Sequence, residues 1–163
     1  PDAIARVAAG TSDFALVDAL FACFSSVETD MTIFYRRLGH IAAAAHTPET
    51  AFAALAPAFY TTPSPTAQAK WLAWLTDWQA ATAIIDADRV SRMHAANPWS
   101  IPRNWLAQDA IKAAEAGNMA VHDRLMAALK NPYNEQAEYA DLAVRRPDWA
   151  RNEPGCSALS CSS

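Results

Sequence analysis

The sequence predicts an all-α fold. Of its 163 residues 38 are alanine, the strongest helix former. Helix start and stop signals recur along the chain, and no stretch alternates apolar and polar residues for long. About eight helices are expected in one domain, residues 1–132, followed by an irregular tail over residues 133–163 that ends in Cys-Ser-Ser.

The punctuation places the elements in order. A short helix runs from about Asp2 to a stop at Gly10. Thr11 or Ser12 caps the next, whose apolar positions Phe14, Val17, Leu20, Phe21 and Phe24 follow helical spacing. Asp30 caps a third, through Met31, Phe34, Leu38 and Ile41. Thr47-Pro48 reads as an N-cap followed by a proline at the first helical position, opening a helix that ends near Tyr60. Thr61 to Pro65 is the clearest loop. From about Pro65 to Ala83 a longer helix carries Trp71, Trp74, Leu75 and Trp78 on one side. Another spans Asp86 to about Ala96, with Asp88 and Arg92 spaced to pair, and Asn97-Pro98 breaks it. The last two cover Pro102 to Ala116, ending at Gly117, and a helix capped by Asn118 that stops before Asn131-Pro132.

Composition removes several functions. With 13 Lys+Arg against 17 Asp+Glu, the net charge of −4 does not fit a nucleic-acid footprint or a polybasic membrane patch. No apolar run approaches the ~20 residues of a membrane helix, since Asp18 interrupts the stretch from Phe14 to Phe24. Four well-separated glycines (Gly10, Gly39, Gly117, Gly155) cannot build the glycine-rich loops that cradle phosphates. The histidines at 40, 46, 94 and 122 are scattered and match no zinc or di-iron pattern. Asp86 and Asp88 stand two apart and point in different directions on a helix, a poor acid–base pair. An independent active site is therefore not expected, and no cofactor or metal is expected to bind this chain.

Two features keep alternatives open. The Trp71, Trp74, Trp78 stripe is either internal core or a face that docks another domain or subunit, because aromatics dominate both. Cys23 reads as an inert core thiol, whereas Cys156 and Cys161 lie in the tail, where burial is not expected. That tail is either a frayed end or a flexible arm whose thiols reach partners easily. A small thiol redox protein would want closer C-x-x-C spacing than these two cysteines have.

Several short runs together resemble the C-terminal region of the selenoprotein O family. They are Asn97-Pro98, Arg103-Asn104-Trp105-Leu106-Ala107-Gln108, Ala110-Ile111, and Ala113-Ala114-Glu115-Ala116-Gly117. Asn131-Pro132-Tyr133, Arg146-Pro147-Asp148-Trp149-Ala150 and the closing Cys161-Ser162-Ser163 belong with them. Upstream, Asp30-Met31-Thr32 with Phe34, Arg36, Arg37 and Leu38 is similar to another stretch of that family. The likeness runs from about Asp30 to the last residue and is weak between Thr47 and Thr82. Pro102 departs from the apolar residue expected there.

The resemblance implies a protein-kinase-like enzyme, long labelled a pseudokinase, that moves AMP from ATP to Ser, Thr or Tyr hydroxyls of proteins. It implies ATP and Mg (or Mn) for the whole enzyme, and a kinase-like core preceding the part matched here. Lacking a glycine-rich loop, a D-F-G motif and a catalytic loop, this chain is expected to hold no nucleotide or metal ligand and to be inactive alone. Its expected partners are that core, within the same polypeptide, and the protein substrates; Trp71, Trp74, Trp78, Arg103 and Asn104 are candidates for contacting the core. By the same resemblance Cys161 is a redox-regulatory latch that forms a disulfide with a cysteine in the core, with Cys156 a resolving thiol or incidental. The chain, which begins at Pro1, is expected to be part of a longer, bacterial and cytoplasmic polypeptide.

Overall fold

The computed structural model of the chain describes residues 13–41, 45–82 and 88–156. The helix expected over Asp2–Gly10, its Thr11 or Ser12 successor cap, Asp86 and Cys161 lie outside those residues. Seven α-helices appear among the described residues: α1 (Asp13–Phe24), α2 (Met31–His40), α3 (Pro48–Leu55), α4 (Pro65–Ala81), α5 (Arg89–Ala96), α6 (Asn104–Glu115) and α7 (Ala120–Leu129). A 3₁₀ segment at Ala56–Ala58 follows α3, and two more, Ala137–Leu142 and Asp148–Arg151, follow α7. The described residues include an isolated antiparallel bridge between Thr29 and Phe59 and no longer strand. The fold is all-α, as composition and punctuation predict.

The chain divides into two compact units, Pro1–Val90 and Ser91–Ser163, and the division falls inside α5. In the first unit α2, α3 and α4 each begin where a short polar side chain takes an orphan backbone donor. Asp30 accepts from Ile33 N at 3.0 Å, Thr47 from Thr50 N at 3.3 Å and Ser64 from Ala67 N at 3.2 Å. Pro48 and Pro65 then occupy the first helical position, where no N–H is needed.

Asp30 does more than cap. Its other carboxylate oxygen accepts from the Tyr60 hydroxyl at 3.3 Å, and its own N–H donates to Ala58 O at 2.8 Å. A buried carboxylate thus ties the start of α2 to the turn after α3.

The core of this unit is aromatic. Trp71 has no exposed surface, and its ring centroid lies 5.7 Å from Phe24, 5.4 Å from Phe34, 5.3 Å from Phe59 and 5.9 Å from Trp74. Most of these contacts are tilted or edge-on, the arrangement that aromatic quadrupoles favour. The helix α1 sits against α4 differently from its expected face. Leu20 and Cys23 are buried and the Leu16 carbonyl accepts from Trp74 Nε1 at 3.0 Å, while Phe14, Val17 and Phe21 stay about half exposed. The helix is apolar nearly all round, so spacing alone did not say which side faces α4.

The second unit is an αα-hairpin with an appended turn. Gly117, at φ 81°, closes α6: its N–H donates to Ala114 O at 2.9 Å and the Asn118 N–H to Ala113 O at 2.8 Å. This is the six-to-one and five-to-two bonding of a Schellman motif. Asn118 Oδ1 then accepts from Ala120 N at 3.0 Å and opens α7. Leu106, Ala110, Leu125, Ala128 and Leu142 form the core, with Trp105, Leu129 and Tyr139 packed on it. Two alanines in five let the helices approach closely.

Replacing Asp30 by Ala removes one cap and the Tyr60 bond together, and should cost about 1–2 kcal/mol. Urea unfolding of the 163-residue chain checks this; a change under a few tenths of a kcal/mol would show that the carboxylate is not holding the turn.

Candidate functional site

The tryptophan stripe is enclosed by its own unit. Exposure of Trp71, Trp74 and Trp78 is 0%, 3% and 8%, so the three indoles offer almost no surface to anything outside it. Trp74 and Trp78 stack at 6.0 Å, and the Arg89 guanidinium lies over Trp78 with its carbon 5.1 Å from the ring centroid. The same guanidinium donates to the Ile41 carbonyl, and burial lowers its pKa.

Cys23, on the buried side of α1, is 2% exposed, and its thiol is pushed up to about 11, mainly by burial. Since the thiolate is the nucleophile, a thiol held that high is inert at neutral pH. The expectation of an inert core thiol agrees with this.

Arg103 and Asn104 stand at the start of α6. Arg103 is its N-cap residue, in extended conformation (φ −61°, ψ 143°), and its carbonyl accepts from Ala107 N at 3.0 Å. Asn104 is the exposed first residue of the helix. The helix begins there, two residues later than Pro102, because an extended Arg103 cannot be helical.

Cys156 departs from the expectation of an exposed tail thiol. It is 5% exposed, and burial raises its pKa. The segment before it is folded back on α6 by three contacts. The Trp149 ring meets Trp105 edge-on at 6.3 Å, Lys112 Nζ donates to Glu153 Oε1 at 2.8 Å, and Gly155 lies against Gln108. Gly155 has φ +80°, and a Cβ there would stand 2.4 Å from Gln108 Nε2. Only glycine meets both demands without strain. The Pro154-Gly155 pair is the sequence signal for this turn, and it was legible only as irregularity.

Sequence reasoning also missed an ion pair. Arg124 grips Asp141 with two bonds, 2.8 and 2.7 Å, donates to Glu138 O at 2.8 Å, and lies 5.5 Å from the Tyr139 ring centroid. The Arg124 hydrogen bonds hold the Asp141 carboxyl below its ordinary range. Asp141, Trp105, Asp109 and Val121 line an open cavity of about 340 Å³ between α6 and α7. It is mostly apolar, and the indole N–H of Trp105 is buried without a partner. No helix among the described residues is long and apolar enough to cross a membrane.

No protein-family model matches the sequence. Its similarity is to curated proteins named protein nucleotidyltransferase YdiU. The one from Nitrosospira multiformis is 40% identical over 179 residues, covering 94% of this chain. Those from Tolumonas auensis and Rhodopirellula baltica are 41% and 38% identical, each over 93% of the chain. The chain belongs to their family, the selenoprotein O family. It spans only 29% to 32% of the length of these relatives. These three relatives are thus roughly three times as long as this chain.

Two outcomes follow from the geometry. Gly155→Ala should strain the turn by about 1–2 kcal/mol and raise the labelling rate of Cys156 by a thiol reagent roughly tenfold, read by peptide mass spectrometry; an unchanged rate would mean that the turn does not shield the thiol. The Asp141 carboxyl, depressed in the folded state, contributes stability above the ordinary carboxylate range and loses it as pH falls through its lowered value. Because both partners are largely exposed, Asp141→Asn should cost no more than about 1 kcal/mol at neutral pH and less near pH ~2. Denaturant titrations at the two pH values check the sign.

Proposed function

We infer that the chain is the helical C-terminal region of a selenoprotein-O-like protein adenylyltransferase. The observation that carries this is identity of 38% to 41% with named nucleotidyltransferases over 93% to 94% of the chain. In the whole enzyme the oxygen of a protein Ser, Thr or Tyr hydroxyl attacks the α-phosphorus of ATP. A P–O bond forms, the α–β anhydride breaks, pyrophosphate leaves and the hydroxyl proton passes to a base. ATP and its Mg (or Mn) ion are held by the kinase-like part of the enzyme, and this chain packs on that part.

The chain's second role is redox control through Cys161. Its thiol and a cysteine thiol of the kinase-like part give up two electrons and two protons to a cellular disulfide oxidant. The resulting disulfide restrains the site, and a dithiol reductant reverses it. The five peptide links from Cys156 to Cys161 reach at most about 18 Å. A partner cysteine therefore lies within about that distance plus one disulfide span of ~6 Å. Buried and with its pKa raised, Cys156 is suited to fixing the root of the tail rather than to exchange. The rival reading, a stand-alone interaction module using Trp71, Trp74 and Trp78, finds no support in side chains this deeply enclosed.

The test is a chimera in which this chain replaces the matching region of the Nitrosospira multiformis relative. With α-labelled ATP and Mg the chimera should label protein hydroxyls, reductant should raise the rate, and Cys161→Ser should abolish the response to reductant. The 163-residue chain alone should transfer nothing. Labelling by the isolated chain, or saturable micromolar Mg-ATP binding to it, would sink the reading.

A further inference from the structure

We propose that the outward face of α1, formed by Phe14, Val17 and Phe21, is the surface on which the remaining two-thirds of the enzyme docks. The proposal rests on the reading that the chain is one region of a longer polypeptide. It assigns that packing to a face distinct from the tryptophan stripe.

The three residues recur at i, i+3 and i+7 and share one side of the helix. Phe14 is 56% exposed, Val17 47% and Phe21 54%. Leu20 and Cys23, on the opposite side, are already buried against α4, and Trp74 holds the Leu16 carbonyl there. A helix apolar on both sides has the pattern of one enclosed between two layers. Among the described residues of the first unit only one such layer, α4, is present. Asp18 is the single charged residue among the exposed positions from 14 to 22, so the face offers a partner little but aliphatic and aromatic surface.

The occupant is argued from length. Relatives that match 93% to 94% of this chain extend over roughly three times as many residues. An enzyme that long presents a large folded surface belonging to the same polypeptide. Its effective concentration at α1 is set by the connecting chain, so even a modest apolar face is occupied. The matching surface is apolar and low in charge, with room for two phenyl rings about two helical turns apart, roughly 10 Å.

Accessibility of one added thiol decides the matter. Val17→Cys is labelled with N-ethylmaleimide and followed by peptide mass spectrometry in two settings, the 163-residue chain and the Nitrosospira chimera. In the isolated chain, monomeric by light scattering, Cys at this position should react freely. In the chimera it should react roughly tenfold or more slowly. Phe14→Ser supplies a second readout: the melting temperature of the isolated chain should hold, and that of the chimera should fall by ~2–4 °C.

Equal labelling in both settings overturns the proposal. So does protection in the isolated chain, whether as a dimer, where a second copy covers the face, or as a monomer, where residues 1–12 cover it. Should the chimera fail to fold, the isolated chain is mixed with the relative lacking its matching region, and protection on mixing is the supporting result. Failure of the functional reading looks different. Protection without nucleotidyl transfer leaves docking standing, and transfer with a reactive thiol removes docking alone.

Discussion

The enclosure of Trp71 is the constraint from which the first unit is built. An indole fully removed from water contributes several kcal/mol of apolar burial, and truncating so large a side chain costs about 3–5 kcal/mol in a typical core. Phe24, Phe34, Phe59 and Trp74 reach it from α1, α2, the turn after α3 and its own helix. Moving any of those elements opens a void against the ring. The indole N–H has no partner, a penalty of about 1–3 kcal/mol that the surrounding contacts offset. The caps at Asp30, Thr47 and Ser64 serve this arrangement by fixing where each contributing helix begins.

The second unit solves the same problem with smaller parts. Ala110 and Ala128 bring α6 and α7 close, and Leu106, Leu125 and Leu142 fill what remains. With less apolar volume to hold it, the segment after α7 is tied by polar and geometric devices: the Arg124–Asp141 grip, the Lys112–Glu153 bond and the glycine turn against Gln108. The exposed ion pairs among these add little energy. Their effect is to choose one path for the chain, and that path brings Cys156 under cover.

Much of this was legible in the sequence, and the physical reason differs from element to element. Asp30, Thr47-Pro48 and Gly117 announced helix ends because each answers a local backbone need that a few neighbouring residues decide. The inert character of Cys23 followed from its place on an apolar helix. The working side of α1 did not follow, since Phe14, Val17, Leu20, Phe21 and Phe24 make a helix with no polar side, and only α4 decides which residues are covered. The burial of Cys156 depends on Gly155 meeting Gln108, a contact 47 positions apart in the chain, which no local pattern encodes. The kinship with nucleotidyltransferases was legible in runs such as Arg103-Asn104-Trp105, although the structure uses Arg103 and Asn104 as the start of a helix.

The distribution of the six tryptophans has a spectroscopic consequence. Three lie in each unit, but in different surroundings: Trp71, Trp74 and Trp78 are sealed among aromatic rings, whereas Trp149 is half open to water. Emission from the first group should be blue-shifted and that from Trp149 red-shifted. The stacked pair Trp74 and Trp78 should couple electronically and add a near-ultraviolet circular-dichroism signal of its own. The protein therefore carries a separate optical label in each half, and loss of order in one can be followed while the other stays folded.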